Sequence, residues 1–83
     1  MRYETGFGDR IDVERGDTVY VDEGDSYGAR EFTGVAIATR IDTITVRVID
    51  GNVNSDPAEG DVITLHPDTV ADMEVWAHGE VGA

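Results

Sequence analysis

The chain has 83 residues with 18 acidic and six basic side chains, which gives a formal net charge of −12 at pH 7. It contains no cysteine, which excludes disulfides and thiolate metal sites, and its longest apolar run, residues 35–38, is too short to span a membrane. All six basic residues are arginine, a composition typical of proteins from extreme halophiles, because molar salt screens the repulsion within an acidic coat. We expect one cytoplasmic domain over residues 1–83, loosely ordered at 1–9 and 79–83.

Short apolar runs, in which large residues alternate with polar ones, recur at intervals of about ten residues, and no helical period is sustained. This spacing predicts an all-β domain. Asp42-Thr43 separates two of the runs and predicts a β-hairpin, and Asp50-Gly51-Asn52 predicts the turn that follows it. The predicted strands lie at residues 10–14, 18–21, 32–41, 44–49, 62–65 and 73–76, with one short helical turn near 68–72.

Alternation within the hairpin assigns its two faces, since successive side chains of a strand point to opposite sides. We expect Arg40 and Arg47 on the outer face. The opposite positions are then expected to fill the core, and these are Val35, Ile37, Ile41, Ile44, Val46 and Val48.

Glycine and valine recur with a specific spacing over residues 16–52. Gly16-Asp17-x-Val19-x-Val21 is followed by a glycine-containing loop, by Gly34, by Val46-x-Val48 and by Gly51-Asn52. This pattern resembles the KOW motif, a strand–loop–strand unit of SH3-like barrels in transcription elongation factors and ribosomal proteins. The resemblance implies a small SH3-like barrel of five to six strands and an association with RNA or DNA.

Aromatic and arginine side chains flank the predicted surface loop at 22–30, where burial is difficult because loop backbone needs water. Exposed aromatic rings indicate a contact site. Tyr20 and Trp76 lie on predicted strands, where we expect them to fill the core; stacking against a peptide or a base is the alternative. The candidate partner-binding residues are Tyr27, Arg30, Phe32, Arg40 and Arg47.

A metal-like spacing begins at the end of the predicted hairpin. Oxygen-bearing side chains occupy positions 1, 3, 5, 7 and 12 of a twelve-residue loop, as in a calcium-binding loop. The glycine that such a loop needs at its sixth position is Ser55, and no helices flank the segment, so we expect a polar loop with no metal and no other cofactor. The alternative is a cation site formed by Asp50, Asn52, Asn54, Asp56 and Asp61.

Catalytic chemistry has little support in the sequence. His66 and His78 each lack a nearby serine or cysteine nucleophile, and no glycine-rich phosphate loop precedes a helix. We therefore expect a non-enzymatic binding module with a protein or ribonucleoprotein partner. A KOW-type factor associated with RNA or DNA is one alternative, and a cation-binding protein acting through residues 50–61 is the other.

Overall fold

A computed structural model describes residues 1–24, 29–51 and 58–79, which form antiparallel β-strands and one short 3-10 helix. The all-β prediction is therefore confirmed. The 3-10 helix, Pro67–Thr69, overlaps the helical turn expected near 68–72. The strands are β1 (Arg2–Glu4), β2 (Arg10–Asp12), β3 (Thr18–Asp22), β4 (Glu31–Thr39), β5 (Ile44–Gly51), β6 (Val62–Leu65) and β7 (Asp72–Ala77).

The strands form two sheets that do not close into a barrel over the described ranges. β1 and β2 make a two-stranded sheet, and the other five make a sheet in the order β6-β5-β4-β3-β7. Every neighbouring pair is antiparallel, so β3 to β6 follow one another as a meander and β7 returns to pair with β3. Within these ranges no helix is both long and apolar enough to cross a membrane.

The core lies on one face of the five-stranded sheet. β3 and β5 contribute valines at alternate positions, because every second side chain of a strand points inward. Val46 is fully buried, and Ile44 and Val48 face the core with it, as the alternation in this strand predicts. The other buried apolar residues are Tyr3, Val13, Val19, Val21, Phe32, Ala36, Ile63, Leu65, Val70 and Met73.

In β4 the predicted core face is wrong. Phe32 and Ala36 are the buried positions, together with Gly34, whereas Val35 is only half-buried and Ile41 lies in the following turn with 85% of its surface exposed. The reason is the close approach of β5. A Cβ at Gly34 would lie 2.3 Å from Cγ1 of Val46, so the inward face of β4 takes small residues where the valines of β5 need space.

Two irregularities in the pairing of β4 with β5 also interrupt simple alternation. The register shifts between Thr33 and Gly34 and again between Ala36 and Ala38, which leaves Ile37 without a direct partner. A bulge changes which face the following residues occupy. Arg47 is exposed, as expected, while Arg40 lies exposed in the turn between the two strands.

The segment before β2, where the sequence predicts no strand, contains β1. Tyr3 pairs with Ile11, is buried, and donates its hydroxyl hydrogen to the carbonyl oxygen of Arg40 at 2.6 Å. Burial raises the pKa of the Tyr3 hydroxyl. One ring therefore ties the two-stranded sheet to the β4–β5 turn, a long-range contact that has no local sequence signal.

Asp17 is a buried carboxylate that joins the start of β3 to the residues after β7. It accepts hydrogen bonds from the backbone N–H of Glu14 at 2.9 Å and of Gly79 at 2.8 Å, and the ring of His78 lies 3.3 Å away. Burial opposes ionisation, but the two N–H donors and the histidine outweigh it, so the pKa of Asp17 lies below its ordinary value. The Gly-Asp pair that begins the KOW-like pattern therefore anchors the end of the chain's last strand.

Candidate partner-binding surface

The outer face of the five-stranded sheet carries two aromatic side chains on adjacent strands. Val19 and Val21 point into the core, so Tyr20 stands on the opposite face of β3. On β7 the buried residue is Met73, and Trp76 stands outside with 60% of its surface exposed. The two rings are parallel, with centroids 5.2 Å apart.

Strand alternation places these rings side by side. Glu74 pairs with Tyr20, and Trp76, two residues further along β7, lies on the same face as Glu74 and diagonal to Tyr20. Val19 pairs with Val75 and Thr18 with Ala77, so Trp76 is also the extra residue between two consecutive pairs. Stacking holds both rings in place and leaves the indole accessible to solvent.

Negative charge surrounds the aromatic pair. The Tyr20 hydroxyl donates to the carboxylate of Glu31, and this bond is the main reason that the pKa of Tyr20 is raised to about 12. Burial of the hydroxyl adds to the rise. The carboxylates of Asp22 and Asp72, which pair with each other across β3 and β7, also raise this pKa, and Glu74 stands directly opposite Tyr20 on β7.

Further across the same face the charge changes. Arg47 on β5 is flanked by Val35 of β4 on one side and by Val62 of β6 on the other, and Val62 is 59% exposed. In the neighbouring register the Thr45 and Thr64 hydroxyl oxygens are 3.2 Å apart. The outer face therefore has an acidic half beside the two aromatic rings, and a second half in which Arg47 lies among valine and threonine side chains, with Asp50 near the end of β5.

The predicted contact residues do not come together in one place. Arg30 binds Glu23 through two side-chain hydrogen bonds, Nε to Oε1 at 2.7 Å and Nη2 to Oε2 at 3.0 Å, and this pairing lowers the pKa of Glu23. Arg30 also donates its backbone N–H to the same carboxylate at 2.8 Å. Arg30 thus joins the two ends of the β3–β4 connection, and Arg40 lies beyond the opposite end of β4.

Phe32 is 2% exposed and packs in the core, so its predicted place at an exposed contact site is wrong. The prediction places Phe32 at the contact site because it follows the loop closely, but Phe32 is the second residue of β4 and points inward. Tyr27 lies outside the described residues. Among the described members of the predicted set, Arg47 is the one that stands on the outer face described above.

The residues missed as surface contacts, Tyr20 and Trp76, were expected to fill the core. Strand alternation alone predicts the outer position of both rings. Val19 and Val21 on one face require Tyr20 on the other, and Met73 on the inward face of β7 requires Trp76 on the outer face. The large apolar area of the rings favours their burial, but in a valine-rich core the strand period decides which face of the sheet each ring occupies.

The alternative cation site is described only at its ends. Asp50 is exposed on β5 and Asp61 precedes β6, while Asn52, Asn54 and Asp56 lie outside the described residues. In the ranges that the structure covers, no group of three or more histidine, aspartate or glutamate side chains could hold a metal ion.

Comparison with known proteins finds no counterpart of this chain: no family model, no curated protein and no solved structure matches it. The outer face of the sheet is the candidate site, because it combines an exposed stacked aromatic pair with an asymmetric distribution of charge.

Proposed function

We propose that this protein is a non-enzymatic binding module that holds a protein partner against the outer face of its five-stranded sheet. The observation that carries the proposal is Trp76, an indole that is 60% exposed and held in place by stacking on Tyr20. Tryptophan and tyrosine dominate the energy of protein interfaces because they bury a large area at little cost in side-chain entropy. The surface carboxylates already keep the protein hydrated, and an exposed indole does not add to solubility. Its exposure therefore indicates a contact with a partner.

The charge around the rings supports a protein partner over a nucleic acid. Binding of a phosphate backbone depends on lysine and arginine side chains that displace its counterions. The aromatic pair is surrounded by carboxylates, and the only base in the described part of this face is Arg47, on a strand that is not adjacent to β3. A peptide can bury the indole without placing phosphates against these acids.

We also propose that the fold is a member of the SH3-like class suggested by the KOW resemblance. The four-strand meander from β3 to β6, the return of β7 to pair with β3, and the 3-10 helix just before β7 are features that support this assignment. The buried positions of Val46 and Val48 also support it, because the resemblance implies an inward face made of valine pairs. Folds of this class serve as scaffolds for many partners, so the site itself must identify the function.

The test is capture of a partner by the tagged protein from a native lysate at molar salt, compared between two alanine variants. Trp76→Ala removes the exposed indole from the outer face. Phe7→Ala is the matched control, because Phe7 is 82% exposed and lies in the β1–β2 turn, away from that face. Circular dichroism must show that both variants stay folded with an unfolding midpoint within about 12 °C of the parent, since an exposed stacked pair contributes about 0.5–1.5 kcal/mol.

The proposal requires that one protein is captured, lost with Trp76→Ala, retained with Phe7→Ala, and insensitive to nuclease. Capture that does not depend on Trp76 would overturn it. Capture that disappears after nuclease treatment would also overturn it and would favour the KOW-type nucleic-acid factor instead.

A further inference from the structure

We infer that the aromatic pair Tyr20–Trp76, with the carboxylates beside it, is a recognition site for an arginine side chain of the partner. This inference rests on the proposed function and gives the chemistry of the group that the site binds. Such a recognition site requires a flat apolar surface that remains open and a negative charge within reach of a cation on that surface. The structure provides both on the acidic half of the outer face.

The open surface is the indole of Trp76. Tyr20 stacks parallel to it and covers one side, and the indole nevertheless keeps 60% of its surface exposed. Because stacking on Tyr20 holds the ring, a ligand loses little free energy in ordering it. Tryptophan has the strongest attraction for cations of the three aromatic side chains, about 0.5–1 kcal/mol at exposed sites and about 2 or more when water is excluded.

The sign of the ligand follows from the acids. Glu74 stands opposite Tyr20, Glu31 accepts its hydroxyl hydrogen, and the carboxylates of Asp22 and Asp72 both act on its pKa. A cation on the exposed indole would therefore lie beside Tyr20 and on the same face of β7 as Glu74, two residues before Trp76. A phosphate or carboxylate in the same position would be repelled.

The geometry favours guanidinium over a metal ion or an ammonium group. The four carboxylates are distributed along three strands, and in the described ranges they do not converge into a group that could hold a metal. A guanidinium is planar, stacks on aromatic faces, and donates two parallel hydrogen bonds to a carboxylate at its edge. It is also less strongly hydrated than ammonium, which matters where molar salt weakens simple charge attraction.

The first measurement compares two tripeptides, acetyl-Gly-Arg-Gly-amide and the same peptide with citrulline. Citrulline keeps the planar shape and loses the charge. Trp76 is the only tryptophan in the chain, so its fluorescence reports binding at this site alone. We expect a saturable change with the arginine peptide and at least about fivefold weaker binding of the citrulline peptide, in 0.1 M and in 2 M KCl.

The second measurement removes the charge from the site. The double change Glu31→Gln with Glu74→Gln keeps side-chain size and an acceptor for the Tyr20 hydroxyl, and we expect it to weaken binding of the arginine peptide several-fold. Glu59→Gln is the matched control, because Glu59 is an exposed acid in the turn before β6. We expect this control to leave binding unchanged.

Equal affinity for the arginine and citrulline peptides would overturn the inference, and so would equal effects of the site and control variants. Either result, combined with partner capture that still requires Trp76, would leave the proposed binding function intact and reject arginine as its target. We also expect the Trp76→Ala variant to lose the preference for the arginine peptide. Calorimetry measures this binding, because the variant lacks the fluorescent tryptophan.

Discussion

Gly34 provides the sharpest test of how β4 and β5 pack. The change Gly34→Ala adds one methyl group on the buried face of β4. Its Cβ would lie 2.3 Å from Cγ1 of Val46 and 2.6 Å from the carbonyl oxygen of Arg47, whereas ordinary contacts lie at 3.4–4 Å. Val46 can relieve the first overlap by changing rotamer, but the second involves the backbone of β5, which is hydrogen-bonded to strands on both sides.

The expected loss of stability is therefore at the upper end of the range for overpacking, which is about 1–3 kcal/mol. Alanine restricts the unfolded chain more than glycine does, and this offsets about 0.5–1 kcal/mol of the loss. A net cost of about 2 kcal/mol lowers the unfolding midpoint of a domain of this size by roughly 8–16 °C. The whole stability expected for 83 residues is only about 4–12 kcal/mol.

Thermal unfolding followed by circular dichroism in multimolar KCl measures this effect. Thr33→Ala, one residue earlier and on the outer face, is the control and should shift the midpoint by only a few degrees. In the double variant Gly34→Ala with Val46→Ala, the loss should be smaller than the sum of the single losses by about 1 kcal/mol, because the first overlap is gone. A Gly34→Ala midpoint within 3 °C of the parent would refute the close approach of the two strands.

Three further results are expected from circular dichroism. The unfolding midpoint should rise with KCl into the molar range, because a net charge of −12 is screened, and a constant midpoint would contradict the halophilic reading of the composition. Val46→Asp should unfold the domain because it buries an unpaired charge, whereas Arg47→Ala, at an exposed position, should change the midpoint little; comparable losses would refute the assigned register of β5. Asp17→Asn should cost about 1–3 kcal/mol at pH 7, because an amide offers one acceptor oxygen where the carboxylate offers two. Since the pKa of Asp17 is lowered on folding, its stabilising effect is present above the unfolded value near 3.9 and is lost as the pH falls through the folded value, so variant and parent should converge below about pH 4.

Much of the fold can be predicted from the sequence, because the residue patterns that indicate strands are local. Val19 and Val21, or Val46 and Val48, alternate with polar residues, and this period identifies both the strand and its buried face. The 3-10 helix at Pro67 has an equally local cause, since proline fixes the backbone for the first turn of a helix. β1 is different, because three residues around Tyr3 become a strand only through pairing with β2 and the hydroxyl contact to Arg40.

The candidate site was less accessible to sequence reasoning. Phe32 and Tyr20 are each predicted on the wrong side of the sheet, because nearness to the loop and the size of the ring were weighted above strand alternation. The shift in pairing between Thr18 and Val19, which leaves Trp76 as an extra residue, has no signal in the residue types of either strand. Likewise, the sequence alone does not show that Arg30 pairs with Glu23, seven residues away across the β3–β4 connection.

By itself, the sequence determined the quantities that depend on residue types and their local period: the acidic charge, the all-β class, the hairpin from β4 to β5, and the inward face of β5. Only the tertiary structure decided which face of β4 is buried, because the space beside Gly34 is set by Val46 on another strand. It also decided that the acids of β3, β4 and β7 surround one aromatic pair. The physical reason is the same in both cases: strand pairing brings together residues far apart in the chain, and a shift of one residue in that pairing changes every neighbour.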